Sequence, residues 1–93
     1  MKITQYGETY EVTLTKTTYA NNGNLAIALT CDTGEPYGVL TVNLGEKLPA
    51  DMAYVDTNNM PNAEKFIREN NLGEFTGEVE YSGFCEYPLY KFY

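Results

Sequence analysis

The chain has 93 residues, with 13 acidic side chains against 6 basic ones, a net charge of −7 and no histidine. That length supports one domain with one modest core, and an apolar fraction of 43% with 14% aromatics is too high for an intrinsically disordered chain. The acidity argues against a direct phosphate-backbone binder, and the lack of histidine removes the usual general base and the commonest metal ligand.

No stretch approaches the roughly 18 apolar residues of a membrane span; the longest nearly apolar run is Leu25–Leu29. Residues Met1–Gly7 lack the apolar core of a signal peptide, so a cytoplasmic location is expected and no membrane partner. In that compartment Cys31 and Cys85 read as thiols, at least one of them buried, and a disulfide forms only if the fold brings them together.

In chain order, Lys2–Tyr6 reads as a short lead-in strand with a turn at Gly7-Glu8. Tyr10, Val12 and Leu14 then alternate with Glu11, Thr13 and Thr15, the period of a half-buried strand. Asn22-Gly23 is the strongest short hairpin signal, because a type I′ turn needs φ > 0 at both central residues. That turn pairs Thr18 with Ile27 and Leu14 with Cys31, and it puts Leu25, Ile27 and Leu29 on the face of Val12 and Leu14. A third strand is expected over Tyr37–Leu44, with Thr33-Gly34 as the tight loop and Ile27 facing Leu40. Gly45–Pro49 reads as a loop and Ala53–Val55 as a short strand.

The only helix opens near Asn59-Met60-Pro61, with proline accepted in the first turn. Ala63, Phe66, Ile67 and Leu72 fall on one face, Glu64 and Arg68 form an i,i+4 pair, and Gly73 supplies the stop. A second hairpin joins Phe75–Tyr81 to Tyr87–Tyr93 around Ser82-Gly83, with Pro88 expected at an edge or bulge. The order β-β-β-(β)-α-β-β predicts one α+β domain over residues 1–93, a mostly antiparallel sheet of about five strands packed with one helix.

Four features could carry chemistry. Asp32-Thr33-Gly34 is the aspartic-protease triplet after an apolar strand, but Glu35-Pro36 follows it and the later apolar-apolar-Gly partner segment is missing, so a polar turn is expected. Glu78, Glu80 and Glu86 could meet across the C-terminal hairpin as acid/base carboxylates, or form a solvated acidic edge that resists strand addition. Asp56–Asn59 carries oxygen ligands, but its spacing does not fit a calcium loop and helix capping explains it. The nine tyrosines are the most unusual feature; Tyr81, Tyr87, Tyr90 and Tyr93 cluster at the C-terminus, either as a contact surface or as paving of a small core. No catalytic, cofactor-binding or metal site is expected, and the chain reads as a non-enzyme.

Several blocks together resemble a known family. They are Tyr19–Leu29, Gly34–Tyr37 leading into Leu40–Leu44, Val55–Asn59 followed by Pro61 and Phe66-Ile67, and Leu72-Gly73, Thr76-Gly77 and Ser82–Tyr90. The chain is similar to the small bacterial domain-of-unknown-function family numbered 4313 over nearly its whole length. The resemblance implies a stand-alone protein of gut bacteria and their phages and conjugative elements. It implies no activity and no site residues.

The expected function is therefore binding: an inhibitor from a phage or mobile element whose negative surface competes for a host protein's basic groove. An anti-defence protein, such as an anti-CRISPR acting as an acidic DNA mimic, is one instance. The other reading is an interaction or accessory module, self-associating or not, that uses a tyrosine-rich surface; charge for solubility alone is the bland reading. Tyr81, Tyr87, Tyr90 and Tyr93 carry the aromatic surface, and Glu74, Glu78, Glu80 and Glu86 the acidic one.

Overall fold

Alternation of apolar and polar side chains builds two sheets in the computed structural model, which describes residues 1–93. Strands β1 (Lys2–Gln5), β2 (Glu8–Thr18), β3 (Leu25–Cys31) and β4 (Pro36–Val39) form the first, antiparallel and in that order. Strands β5 (Thr41–Val42), β6 (Met52–Val55), β7 (Gly73–Ser82) and β8 (Cys85–Phe92) form the second, in the order β5-β6-β8-β7. The helix α1 spans Ala63–Glu69. This is the expected α+β class, with eight strands in two sheets rather than about five in one.

The β2–β3 hairpin has the expected faces in a different register. Leu14 lies opposite Leu29 and Lys16 opposite Ile27, two residues from the pairing of an Asn22-Gly23 turn. The connection is the longer loop Tyr19–Asn24, in which Gly23 donates to the Tyr19 carbonyl at 2.8 Å and Tyr19 to the Asn24 carbonyl at 2.9 Å. Of the Asn22-Gly23 pair only Gly23 has positive φ, at 72°. An even shift keeps every side chain on its face, so the apolar pattern alone cannot distinguish the two registers. The turn with two positive φ values is Tyr6-Gly7, at 52° and 80°, one residue before the expected place.

Leu29 faces Gly38 and Ala28 faces Val39, as the Thr33-Gly34 loop predicts, with a bulge between Leu29 and Thr30. The expected strand Tyr37–Leu44 is broken at Leu40. Its N–H donates to Ile27 at 2.8 Å and its carbonyl accepts from Asp56 at 2.9 Å, so one buried residue hands the chain from the first sheet to the second.

The main core lies between the sheets and under the helix, joining Ile3, Val12, Ile27, Leu40 and Val55 to Phe66, Ile67 and Phe92. An isolated helix shorter than about 12–15 residues is marginal in water; α1 has 7 and is held by burial of Ala63, Phe66 and Ile67. Each large side chain so buried contributes about 1.5–3 kcal/mol. Its N-cap is Asn62, whose side chain reaches the Thr4 carbonyl instead of the helix. The Asp56 carboxylate does not cap the helix; it closes a local turn, accepting from the Asn59 N–H at 3.2 Å and side-chain amide at 2.9 Å. The left-handed residue after the helix is Asn71 (φ 52°), not Gly73, which begins β7.

The opposite face of the second sheet carries a smaller cluster of Leu48, Tyr54, Tyr87 and Leu89. Buried Asn24 pins the covering loop, donating to the Glu46 carbonyl at 2.6 Å and accepting from the Leu48 N–H at 3.0 Å. Strand β8 is thus buried on both faces. Pro88 sits opposite Val79 beside a bulge in β7, the type of position expected for it. Cys31 and Cys85 are free thiols, both half-buried and packed against different clusters.

Candidate functional site

The C-terminal hairpin is a two-residue turn, Gly83-Phe84, between Ser82 and Cys85. Gly83 takes φ 61°, the first-position conformation that a type II′ turn reserves for glycine. Strand β7 is the edge of its sheet, and its residues from Glu74 onward are exposed.

Register divides the eight proposed contact residues. Tyr81 lies opposite Glu86 and Glu80 opposite Tyr87, so these two pairs occupy opposite faces. Glu78 and Glu80 share one face, and Glu86 does not join them. The carboxylates therefore do not form the catalytic-type cluster that sequence spacing allowed. Glu74 lies opposite Lys91.

The four tyrosines do not form one surface. Tyr81 and Tyr93 are 66% and 62% exposed, whereas Tyr87 and Tyr90 are 9% and 3% exposed. This corrects the contact role of Tyr87 and Tyr90: β8 has a neighbouring strand on each side and a cluster on each face, so its rings pave the core. The Tyr90 ring packs between Phe75 and Phe92 at centroid distances of 5.7 and 6.2 Å. Burial, and then the Glu64 carboxylate that accepts its hydroxyl hydrogen at 2.5 Å, push the Tyr90 pKa up. Glu64 is engaged with Tyr90, and it makes no ion pair with Arg68.

The surface that does form was only partly visible in the sequence. Phe75 and Val79, 48% and 40% exposed, share a face with Tyr81. Phe84 projects fully from the turn. The other face carries Glu78 and Glu80 near Tyr54. Burial raises the Tyr54 pKa most, and the charges of Glu46, Glu80 and Glu78 raise it further. Alternation along Phe75–Tyr81 was the available signal for the first set. Nothing local in the sequence places Glu46 beside Tyr54.

Lys91 lies across from Glu74, but no lysine or arginine forms an ion pair with the carboxylates of β7 or Glu86. The chain's one ion pair joins the N-terminal ammonium to Glu11 at 3.1 Å. The Glu86 carboxylate across the strand pair raises the Tyr81 pKa. The chemistry offered is a set of exposed negative charges and exposed rings carried by one edge strand and its turn. Asp32-Thr33-Gly34 is the expected polar turn: Gly34 has φ 92°, and its N–H donates to the Cys31 carbonyl at 2.9 Å. No group of three or more Cys, Asp or Glu side chains is arranged to hold a metal ion.

The model of the domain of unknown function DUF4313 matches residues 13–93. The chain belongs to the DUF4313 family. No curated protein and no solved structure matches it. In this DUF4313 chain the matched region begins within β2 and contains strands β3 to β8, with the whole C-terminal hairpin. No helix is long and apolar enough to cross a membrane.

Proposed function

We propose that this DUF4313 protein is a non-enzymatic binding protein that occupies a basic groove on a partner protein. One observation supports this most directly. The exposed edge strand β7 alternates acidic and apolar side chains, and no cation of the chain pairs with its carboxylates. The negative charge steers the encounter with a basic partner, and Phe75, Val79, Tyr81 and Phe84 supply the apolar contact that a charge pair in water lacks. A partner that normally holds nucleic acid has the matching chemistry, and the mobile-element habitat implied by the family resemblance makes inhibition of a host defence or nucleic-acid-binding protein the natural use.

The test is capture from a bacterial lysate with wild-type protein and with the Glu74→Lys, Glu78→Lys, Glu80→Lys, Glu86→Lys variant. The expected outcome is enrichment of nucleic-acid-binding proteins by the wild type only, lost on adding competitor DNA or raising the salt. The same proteins retained by the reversed-charge variant would refute the reading.

A further inference from the structure

The largest concavity in the molecule lies away from the β7 edge. It is a cleft of about 460 Å³ between the β1–β2 turn, strand β4 and the Asp56–Met60 segment. That volume is within the range of about 300–1,000 Å³ typical of small-ligand sites. Its walls carry the rings of Tyr6, Tyr10 and Tyr37 and the carboxylates of Glu8 and Asp56, and no lysine or arginine lines it. We propose that this cleft binds the guanidinium of an arginine side chain presented by a partner protein.

Three features select that chemistry. The first is charge: Glu8 and Asp56 both line the cavity, and their carboxylates accept hydrogen bonds only from the neutral groups of Tyr10 and Asn59 and form no ion pair within the chain. The second is the aromatic wall. Tyr10 and Tyr37 stand with centroids 5.2 Å apart and planes tilted by 57°. Their hydroxyls are anchored, Tyr10 donating to Glu8 Oε2 at 2.5 Å and Tyr37 accepting from Gln5 Nε2 at 2.6 Å. Rings so held present a fixed π-face to a cation, and a planar guanidinium both stacks on such a face and bonds a carboxylate through two N–H groups.

The third feature is the apolar floor. Met60 is buried beneath the cleft, and a Cβ at Gly38 would come within 2.8 Å of its methyl carbon. The absence of a side chain at Gly38 lets the Met60 methyl pack against the β4 backbone, so that the two form an apolar floor for the aliphatic stem of an arginine. The Glu8 bond and charge also raise the Tyr10 pKa, consistent with an unneutralised negative site.

The assignment of a protein as the source of the arginine rests on the binding function proposed above; the guanidinium chemistry does not. The experiment is an NMR titration of the ¹⁵N-labelled full chain with three probes: blocked Gly-Arg-Gly, blocked Gly-citrulline-Gly and agmatine. Citrulline has the shape of arginine without its charge. The expected result is saturable shifts at Tyr6–Tyr10, Tyr37–Val39 and Asp56–Asn59 with the arginine tripeptide and none with citrulline. Glu8→Gln and Asp56→Asn should each weaken that binding about two- to fivefold, as loss of one exposed charge contact does, and the same spectra report whether each variant is folded.

Equal shifts with citrulline, or none with the arginine tripeptide, overturn the proposal. Shifts with agmatine and none with the tripeptide overturn it as well, pointing to a small guanidinium compound in place of a protein's arginine. If the cleft stays silent while lysate capture still depends on the β7 glutamates, the cleft assignment fails and the function proposed for the hairpin stands.

Discussion

The Tyr90 hydroxyl donates to the Glu64 carboxylate at 2.5 Å, tying the central strand of one sheet to the short helix. Neither residue reaches the other by local spacing, and both have partners that sequence reading assigned elsewhere. The bond matters because α1 has one acid in its first turn and is too short to stand alone. Tyr90→Phe keeps the ring and removes the donor. A loss of about 1 kcal/mol is expected, read as a lower urea midpoint with an unchanged denaturant slope.

Burial of tyrosine hydroxyls, reinforced at Tyr90 by this bond, sets a pH dependence. Tyr90 and Tyr54 have pKa values raised above the ordinary 10.0 of tyrosine. The unfolded chain therefore gives up these protons first as pH rises. Their stabilising contribution is complete below the ordinary tyrosine pKa and falls away above it. Urea midpoints should stay level from about pH 7 to 9 and drop beyond about pH 10. Tyr90→Phe should shrink that drop; an identical alkaline loss in the variant would exclude Tyr90 as its source.

Asn24 connects the β2–β3 loop to the segment that covers Tyr54 and Tyr87. Replacing it with alanine strands the buried Leu48 N–H and takes the donor from the Glu46 carbonyl. The expected cost is about 2–3 kcal/mol, the range for leaving buried groups unpaired. Hydrogen exchange should show the Leu48 amide losing protection before the amides of β3 do.

Gly73 begins β7 with a negative φ, so its requirement is space. A Cβ there would lie 2.5 Å from the Lys91 carbonyl oxygen and 3.1 Å from the Phe92 Cα. Backbone cannot yield as a side-chain tip can. Gly73→Ala should destabilise by about 1–3 kcal/mol, measured by thermal or urea unfolding. Gly77→Ala tests the other cause, since it has open space but φ 92°.

Tyr6 holds φ 52° at the β1–β2 turn, a conformation that costs a non-glycine residue about 1 kcal/mol or more. Tyr6→Asn makes the favoured Asn-Gly turn and should raise stability by about 0.5–1 kcal/mol. It also removes one ring of the arginine cleft, so the arginine tripeptide should bind less tightly to the more stable variant. A stability gain with unchanged affinity would leave Tyr6 outside the binding surface.

Much of the fold is local and was legible in residue order. Period-two alternation gave Val12, Leu14, Leu25, Ile27 and Leu29 their common face, because side chains alternate across a strand whatever it pairs with. The same periodicity leaves the β2–β3 register open by two residues: even shifts leave that face unchanged, and only the closure of the Tyr19–Asn24 loop separates them. The −7 charge argues against a direct phosphate-backbone binder from composition alone.

Tertiary structure decided the rest. It broke the Tyr37–Leu44 segment at Leu40, because that residue bonds Ile27 in one sheet and Asp56 at the margin of the other. It sorted the tyrosines by neighbours distant in sequence: β8 lies between β6 and β7 and buries Tyr87 and Tyr90, while Tyr81 on the sheet edge stays in water. It also gathered Glu8, Tyr37 and Asp56 from three separate turns and strands around one cleft. Composition counts charges and rings; which of them face a partner depends on long-range strand order, which no short window of sequence contains.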